Sequence, residues 1–182
     1  MAAIHGLAEY DVLKACERAA QGEVVSPANL NSPGQIAIAG TAAAVARAAE
    51  RAKALGAKRA IPLQVSAPFH CALMKPAEDR LAPELRAARA SDPRIPVVAN
   101  VDAEPKRTAA ASIDALIRQV SSPVRWEDVV MRLASEGVTR YVEVGPGKVL
   151  TGLVKKIAPG ATLLNVEGPD DLPAIEALFS AA

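Results

Sequence analysis

The first third of the chain combines helical and strand-like spacing of its apolar residues. Over Glu9–Ala20 the apolar positions recur at helical spacing, whereas Gln35–Gly40 alternates with a period of two. Turn residues at 31–34 precede that strand and predict a hairpin, and Thr41 is placed to cap an alanine-rich helix. With further apolar runs before, between and after these segments, residues 1–66 have the predicted order strand, helix, strand, strand, helix, strand. This order is typical of a ferredoxin-like fold.

In residues 67–182, strand-like and helical segments alternate. Strands are predicted at 95–100, 141–144 and 162–166, and helices at 78–90, 112–119, 126–135, a segment ending at Ile157, and 172–179. This alternation predicts a parallel α/β sheet. Such a sheet is covered on both faces, and three strands leave it incomplete, so we expect exposed apolar side chains at 97–99 and 141–144. In the first of these helices Leu81 and Leu85 lie one turn apart, and Pro83 between them predicts a kink or a shorter helix.

Composition and charge exclude several classes of protein. The chain has 21 basic and 20 acidic residues, 51% hydrophobic residues and a net charge of +1, which excludes a disordered tail and gives no support to nucleic-acid binding through bulk charge. No apolar run approaches the roughly 18 residues that span a bilayer, and no secretory signal is present. Cys16 and Cys71 lie far apart without metal-ligand spacing, which predicts neither a disulfide framework nor a metal site. The expected location is the reducing cytoplasm.

His70 is the strongest candidate for chemistry. It lies where a strand ends, Pro68 turns the chain and a helix begins, and catalytic groups collect at strand ends in parallel α/β units. A structural histidine in a turn is the alternative. The thiol of Cys71 is not its nucleophile, because a nucleophile and its base must converge through space, so packing is the expected role of Cys71.

Two other motifs have both a functional and a structural interpretation. A glycine-rich segment at 145–152 follows a strand and opens a helix, where phosphate can bind, but Val149 and Leu150 depart from the two phosphate-binding patterns, which favours a tight turn. Asn31, beside Pro33, is a candidate substrate-binding residue, although an Asx turn explains it equally well. No serine has the flanking glycines of a nucleophile elbow, so the sequence predicts no nucleophile in this chain.

Three segments together resemble the bacterial malonyl-CoA:acyl carrier protein transacylases of type II fatty acid synthesis. They are NLNSPGQIAIAG (29–40), PFHCALMKP (68–76) and VEVGPGKVLTGL (142–153). The resemblance implies an α/β enzyme in which an α+β insert, the ferredoxin-like βαββαβ subdomain, interrupts an α/β-hydrolase-like domain with a parallel sheet. Residues 1–66 would be that small subdomain, and residues 67–182 the C-terminal part of the large acyltransferase domain.

The same resemblance implies that part of the enzyme is absent from this chain. The family's Gly-His-Ser-x-Gly elbow, its Gly-Gln-Gly oxyanion segment and its carboxylate-binding arginine all lie upstream of the point that matches Met1. We therefore expect the chain to be inactive alone and to need the missing N-terminal portion of the same enzyme as a partner.

The implied reaction is a transfer of malonyl from CoA to the phosphopantetheine thiol of acyl carrier protein through a Ser-His acyl-enzyme mechanism. His70 would be the general base and acid, and Phe69 would line the acyl pocket. The substrates would be malonyl-CoA and phosphopantetheinylated acyl carrier protein, with no cofactor. The acidic carrier protein would bind basic surface, for which Lys58, Arg59, Lys155 and Lys156 are candidates.

Gln119 is expected to orient His70 through its main-chain carbonyl. The helix predicted from Ser112 must end here because Ser122 precedes Pro123 and avoids the helical region, and the last four carbonyls of a helix lack partners within it. The resemblance also assigns this carbonyl to the histidine, so we predict that it, and no carboxylate, accepts the Nδ1 proton of His70.

A function of another class is a non-catalytic ferredoxin-like module that binds RNA or a small ligand. RNA recognition by such a module needs aromatic residues on the central strands. Aromatic residues make up 3% of this chain, and the predicted first and third strands contain none. The sequence therefore favours the acyltransferase.

Overall fold

The computed structural model describes residues 1–180 and is of mixed α/β type. Its first six elements are β1 (Ala2–His5), α1 (Glu9–Ala20), β2 (Val25–Ser32), β3 (Gln35–Gly40), α2 (Ala42–Ala54) and β4 (Arg59–Pro62). The four strands form one sheet in the order β2-β3-β1-β4, and every neighbouring pair is antiparallel. The predicted order of these elements is confirmed.

The two helices cover one face of this sheet with small side chains. Val12, Ala15, Cys16 and Ala19 of α1 and Ala44, Val45, Ala48 and Ala52 of α2 are buried. They pack against Ile4, Ile36 and Ile38 of the central strands. Thr41 caps α2 as predicted, accepting a hydrogen bond from the amide of Ala44. Because successive side chains of a strand point to opposite faces, Ala39 points to the face away from the helices, where it contacts Ala28 and Cys71.

The chain then continues through six elements, of which only the helix over 126–135 has the predicted bounds. They are a 3₁₀ turn (Ala72–Met74), α3 (Lys75–Ala87), β5 (Val97–Val98), β6 (Pro105–Lys106), α4 (Ala109–Arg118) and α5 (Trp126–Ser135). The prediction that 95–100 is a strand of a parallel sheet is wrong, because β5 pairs antiparallel with β6 and Ile95 is 79% exposed. The helix expected from Ser112 begins earlier because Thr108, with extended backbone, caps it. Helix α3 runs through Pro83.

The final elements are β7 (Arg140–Val144), α6 (Val149–Ile157), β8 (Thr162–Val166), a 3₁₀ turn (Pro169–Asp171) and α7 (Leu172–Ser180). The pair β7–β8 is parallel, as predicted for this part of the chain, and α6 connects the two strands and packs on both. Val144 is 76% exposed and Val97, on β5, is 52% exposed, so both segments expected to show apolar surface do so. Within the described chain, every helix is too short or too polar to span a bilayer.

The structure separates into two compact units, with the second beginning at Val130. Every residue of the candidate site around His70 lies in the first unit. The boundary predicted after residue 66 falls inside that unit and stays a prediction.

Gly40 is required by close packing at the end of β3. A Cβ at this position would lie 2.1 Å from the main-chain oxygen of Val24 and 2.7 Å from the Cα of Val25. These are backbone atoms, so no flexible side chain can move away, and we expect Gly40→Ala to lower the free energy of unfolding by about 1–3 kcal/mol. Urea denaturation of the purified protein measures this change.

Gly160→Ala is the matched control, since a Cβ there meets no atom within 4 Å. Its free energy of unfolding should stay within about 0.5 kcal/mol of the parent value. Equal effects of the two substitutions would show that the close approach at Gly40 is not a constraint.

Candidate active site

His70 lies in the loop between β4 and α3 and has a left-handed backbone conformation, with φ of +60°. A residue with a side chain pays roughly 1–2 kcal/mol for this conformation. Such conformations persist where surrounding contacts enforce them, and they cluster at functional sites. Contacts of the neighbouring residues must therefore hold His70 in this conformation.

Cys71 anchors the loop to the sheet. Its side chain is 2% exposed and packs against Ala28 and Ala39, on the sheet face away from α1 and α2. The thiol donates a hydrogen bond to the main-chain oxygen of Pro68 at 3.2 Å. Cys71 is thus a packing residue, as the sequence indicated, and it fixes the backbone on which His70 stands.

Gln119 closes the C-terminal end of α4 and presents its carbonyl to the histidine. The Nδ1 atom of His70 lies 3.1 Å from the main-chain oxygen of Gln119. The predicted hydrogen bond is therefore present, and within residues 1–180 no carboxylate bonds to the His70 ring.

This hydrogen bond determines the tautomer of the His70 ring. A carbonyl oxygen can only accept, so Nδ1 must carry the proton that it donates. In the neutral ring Nε2 then holds the lone pair, and within the described chain it has no hydrogen-bond partner. Nε2 is the atom of this ring that can take a proton from a substrate or nucleophile.

The segment after α4 is also attached to the sheet. Val124 extends the edge at β2, where its amide donates to the oxygen of Ala28 at 2.8 Å and its oxygen accepts from the amide of Leu30 at 2.8 Å. Ala28 therefore contacts both the anchor of the His70 loop and the segment that follows Gln119. The segments that carry His70 and Gln119 are therefore both attached to β2.

The other predicted site residues are not bonded to this pair. Phe69 is 40% exposed and adjoins His70 in the chain. Asn31 is half-buried on β2, and its side chain makes no hydrogen bond with any residue in the described range. The structure thus brings His70 and Gln119 together, while the roles of Phe69 and Asn31 stay predictions.

The glycine-rich segment at 145–152, in the second unit, forms a strand-to-helix turn. The Glu143 carboxylate accepts hydrogen bonds from the amides of Leu150 at 3.0 Å and Thr151 at 2.7 Å, and from Asn165 Nδ2 at 3.1 Å. Hydrogen bonds from Thr151, followed by the amide of Leu150, hold the pKa of Glu143 below its usual value. Because a carboxylate already occupies these amides of α6, the turn interpretation is favoured over phosphate binding.

Comparison with known proteins shows the family of this chain. The model of the acyl transferase domain matches residues 2–161. The chain belongs to the acyl transferase domain family. Over 174 residues it is 53% identical to the malonyl CoA-acyl carrier protein transacylase of Salmonella typhimurium. This match covers 96% of this chain and 56% of that protein.

Solved structures of acyl transferases agree with this assignment. An acyl carrier protein S-malonyltransferase from Vibrio cholerae has a TM-score of 0.92 and 50% identity, over 96% of this chain and 57% of that one. A malonyl-transacylase in complex with its type II PKS acyl-carrier protein has a TM-score of 0.92 and 46% identity, over 97% and 57%. The chain spans about half the length of the curated relatives it matches.

In this acyl transferase chain, Glu78 is a site feature that the sequence analysis missed. Its side chain is 8% exposed, and its carboxylate accepts hydrogen bonds from Lys75 on the same helix and from the hydroxyl of Ser121. On α3, Ala82 is buried together with Glu78, whereas Leu81 is 40% exposed. No local pattern marks Glu78, because its partner Ser121 lies 43 residues further along the chain.

Among residues 1–180, no three His, Cys, Asp or Glu side chains are arranged to hold a metal ion.

The tautomer of His70 can be measured directly. At a pH where the ring is neutral, long-range ¹H–¹⁵N correlation spectra of the labelled protein should show a protonated Nδ1 and an unprotonated Nε2. The Gln119→Ala variant should give the same pattern because the acceptor is main-chain, and His70→Ala assigns the signals. A predominant Nε2–H form would contradict the assignment.

Proposed function

We propose that this chain supplies the histidine of an enzyme that moves a malonyl group from CoA to the phosphopantetheine thiol of acyl carrier protein. The observation that carries the proposal is the hydrogen bond from Nδ1 of His70 to the Gln119 carbonyl, 3.1 Å long, which leaves Nε2 as a base. Membership of the acyl transferase family supports it, as do relatives named malonyl CoA-acyl carrier protein transacylase.

The same proposal includes the arrangement of the domains. Residues 1–66 would be a ferredoxin-like small subdomain, which the strand order β2-β3-β1-β4 supports. Residues 67–182 would be the C-terminal part of an α/β-hydrolase-like domain, which the parallel pair β7–β8 supports.

The proposed reaction has two acyl transfers through one histidine. A serine from the family's nucleophile elbow, which this sequence lacks, gives its proton to Nε2 of His70 as its oxygen attacks the malonyl thioester. The imidazolium returns that proton to the departing CoA sulfur. In the second half Nε2 takes the proton of the phosphopantetheine thiol, the sulfur attacks the malonyl ester, and the proton passes back to the serine oxygen.

Substrate and partner follow from the relatives' names. Malonyl-CoA and phosphopantetheinylated acyl carrier protein would be the two substrates, and this chemistry uses no cofactor. A structural neighbour at 46% identity is a malonyl-transacylase bound to its acyl-carrier protein. Phe69 would limit the acyl pocket beside the base, and Asn31 on β2 would contact the substrate.

A hybrid enzyme tests this function. The matching stretch of the Salmonella typhimurium transacylase, 53% identical, is replaced with this chain. The hybrid should transfer malonyl to holo acyl carrier protein, whereas the 182-residue chain alone should neither transfer it nor gain a malonyl adduct in intact-mass spectra.

Two variants of the hybrid assign the roles at the site. His70→Ala should lower kcat by about 10²–10⁴-fold because the base is lost. Gln119→Ala should keep most activity because its carbonyl remains. A His70→Ala hybrid as active as its parent, or a malonyl adduct on the chain alone, would refute the proposed function.

Phe69 is expected to set the selectivity for the acyl group. In the hybrid, Phe69→Ser removes the ring and should make room for an α-methyl group. The ratio of kcat/KM for malonyl-CoA over that for methylmalonyl-CoA should then fall by at least about tenfold, because a methyl group is worth about 1–3 kcal/mol of discrimination. Leu81→Ser is the control, because Leu81 is equally exposed, at 40%, but lies in α3. A ratio unchanged by Phe69→Ser would remove Phe69 from the pocket.

A further inference from the structure

Glu78 is a buried carboxylate that the proposed reaction does not use. A carboxylate loses hydration on burial and is found inside proteins where it is paired and hydrogen-bonded. Here the pairing is supplied by Lys75, three residues earlier on α3, and by Ser121, which follows α4. Hydrogen bonds from Lys75, and next from Ser121, keep the pKa of Glu78 below its usual value, so it is a carboxylate at neutral pH.

The Glu78–Ser121 hydrogen bond lies beside the His70–Gln119 hydrogen bond in the chain. Glu78 is on the helix that follows His70, and Ser121 follows Gln119. Helix α3 begins at Lys75, directly after the 3₁₀ turn that follows the His70 loop. Ser121 is two residues beyond Gln119, whose carbonyl accepts from His70. Helices α3 and α4 also pack against each other. Both hydrogen bonds therefore join the same two segments.

We propose that Glu78 is a positioning residue that acts on His70 through Ser121 and the Gln119 carbonyl. The expected effect of Glu78 on catalysis rests on the proposed function, whereas its expected effect on the orientation of the His70 ring rests on the contacts alone. The carbonyl of Gln119 belongs to a helix end, where backbone is held by few intrahelical bonds. The hydroxyl of Ser121 bonded to a charged acceptor restrains that helix end, since charge-assisted hydrogen bonds are about twice as strong as neutral ones. With the carbonyl restrained, the Nδ1 proton and the direction of Nε2 are fixed.

The test reads the His70 ring in the full chain by ¹H–¹⁵N correlation spectra, without any activity. Glu78→Ala and Ser121→Ala should each replace the single Nδ1–H pattern with a mixture of tautomers, and the double variant should be no worse than either single variant. Glu78→Gln keeps an acceptor for Ser121 but loses its charge, so its pattern should lie between those of the parent and Glu78→Ala.

Asp79→Ala is the matched control. Asp79 is the next residue on α3 and its carboxylate also contacts Lys75, at 3.2 Å, but it has no bond to Ser121. This variant should leave the His70 spectrum unchanged. If Glu78→Ala does not fold, Ser121→Ala provides the same test, because it retains the Lys75 partner of the buried carboxylate.

Activity of the hybrid separates the two proposals. Loss of the Nδ1–H pattern together with a fall in kcat of up to about 10²-fold, at little changed KM, supports the positioning role. If the Nδ1–H pattern is lost but kcat is unchanged, Glu78 still orients the His70 ring. The proposed role of His70 in the reaction is then overturned. An unchanged pattern in folded Glu78→Ala and Ser121→Ala overturns the positioning role whatever the activity.

Discussion

One neutral hydrogen bond, from Nδ1 of His70 to the main-chain oxygen of Gln119, is the contact on which the candidate site depends. It joins residues 49 positions apart, so its geometry depends on how both segments are held in the fold. The sheet does this at a single place. Ala28 of β2 packs against Cys71 on one side of the pair and bonds to Val124 on the other. The four-stranded sheet therefore supports both segments of this hydrogen bond.

The His70 loop departs from local preference, and this departure is consistent with a functional site. A left-handed φ at a residue with a side chain is unfavourable by roughly 1–2 kcal/mol, yet His70 has φ of +60°. Burial of Cys71 and its bond to the Pro68 oxygen offset that cost. A glycine would satisfy the backbone more easily but would have no imidazole. Sites where local rules fail are where function is expected.

Much of the fold and the central contact of the site could be predicted from sequence. Helix α1 and strand β3 have the predicted bounds because strong periodicity and turn residues agree at both, and the Gln119 carbonyl follows from the helix break before Pro123. The start of α4 could not be decided locally, since Thr108 and Ser112 are both capable caps. The partner of 95–100 could not either, because an apolar run does not show which strand it pairs with. Glu78 was missed because its partner, Ser121, lies 43 residues away.

Charged and neutral acceptors have different roles in this chain. Glu78 and Glu143 both have lowered pKa values because fixed donors favour their charged forms, and each restrains a segment at a helix end. A carboxylate on Nδ1 of His70 would stabilise the imidazolium more strongly than the Gln119 carbonyl does. In the proposed reaction His70 must return its proton to a leaving sulfur within the same cycle, and a weaker, neutral acceptor on Nδ1 favours that step. A charged acceptor therefore binds Ser121, two residues beyond the Gln119 carbonyl, and no carboxylate bonds to the ring that exchanges the proton.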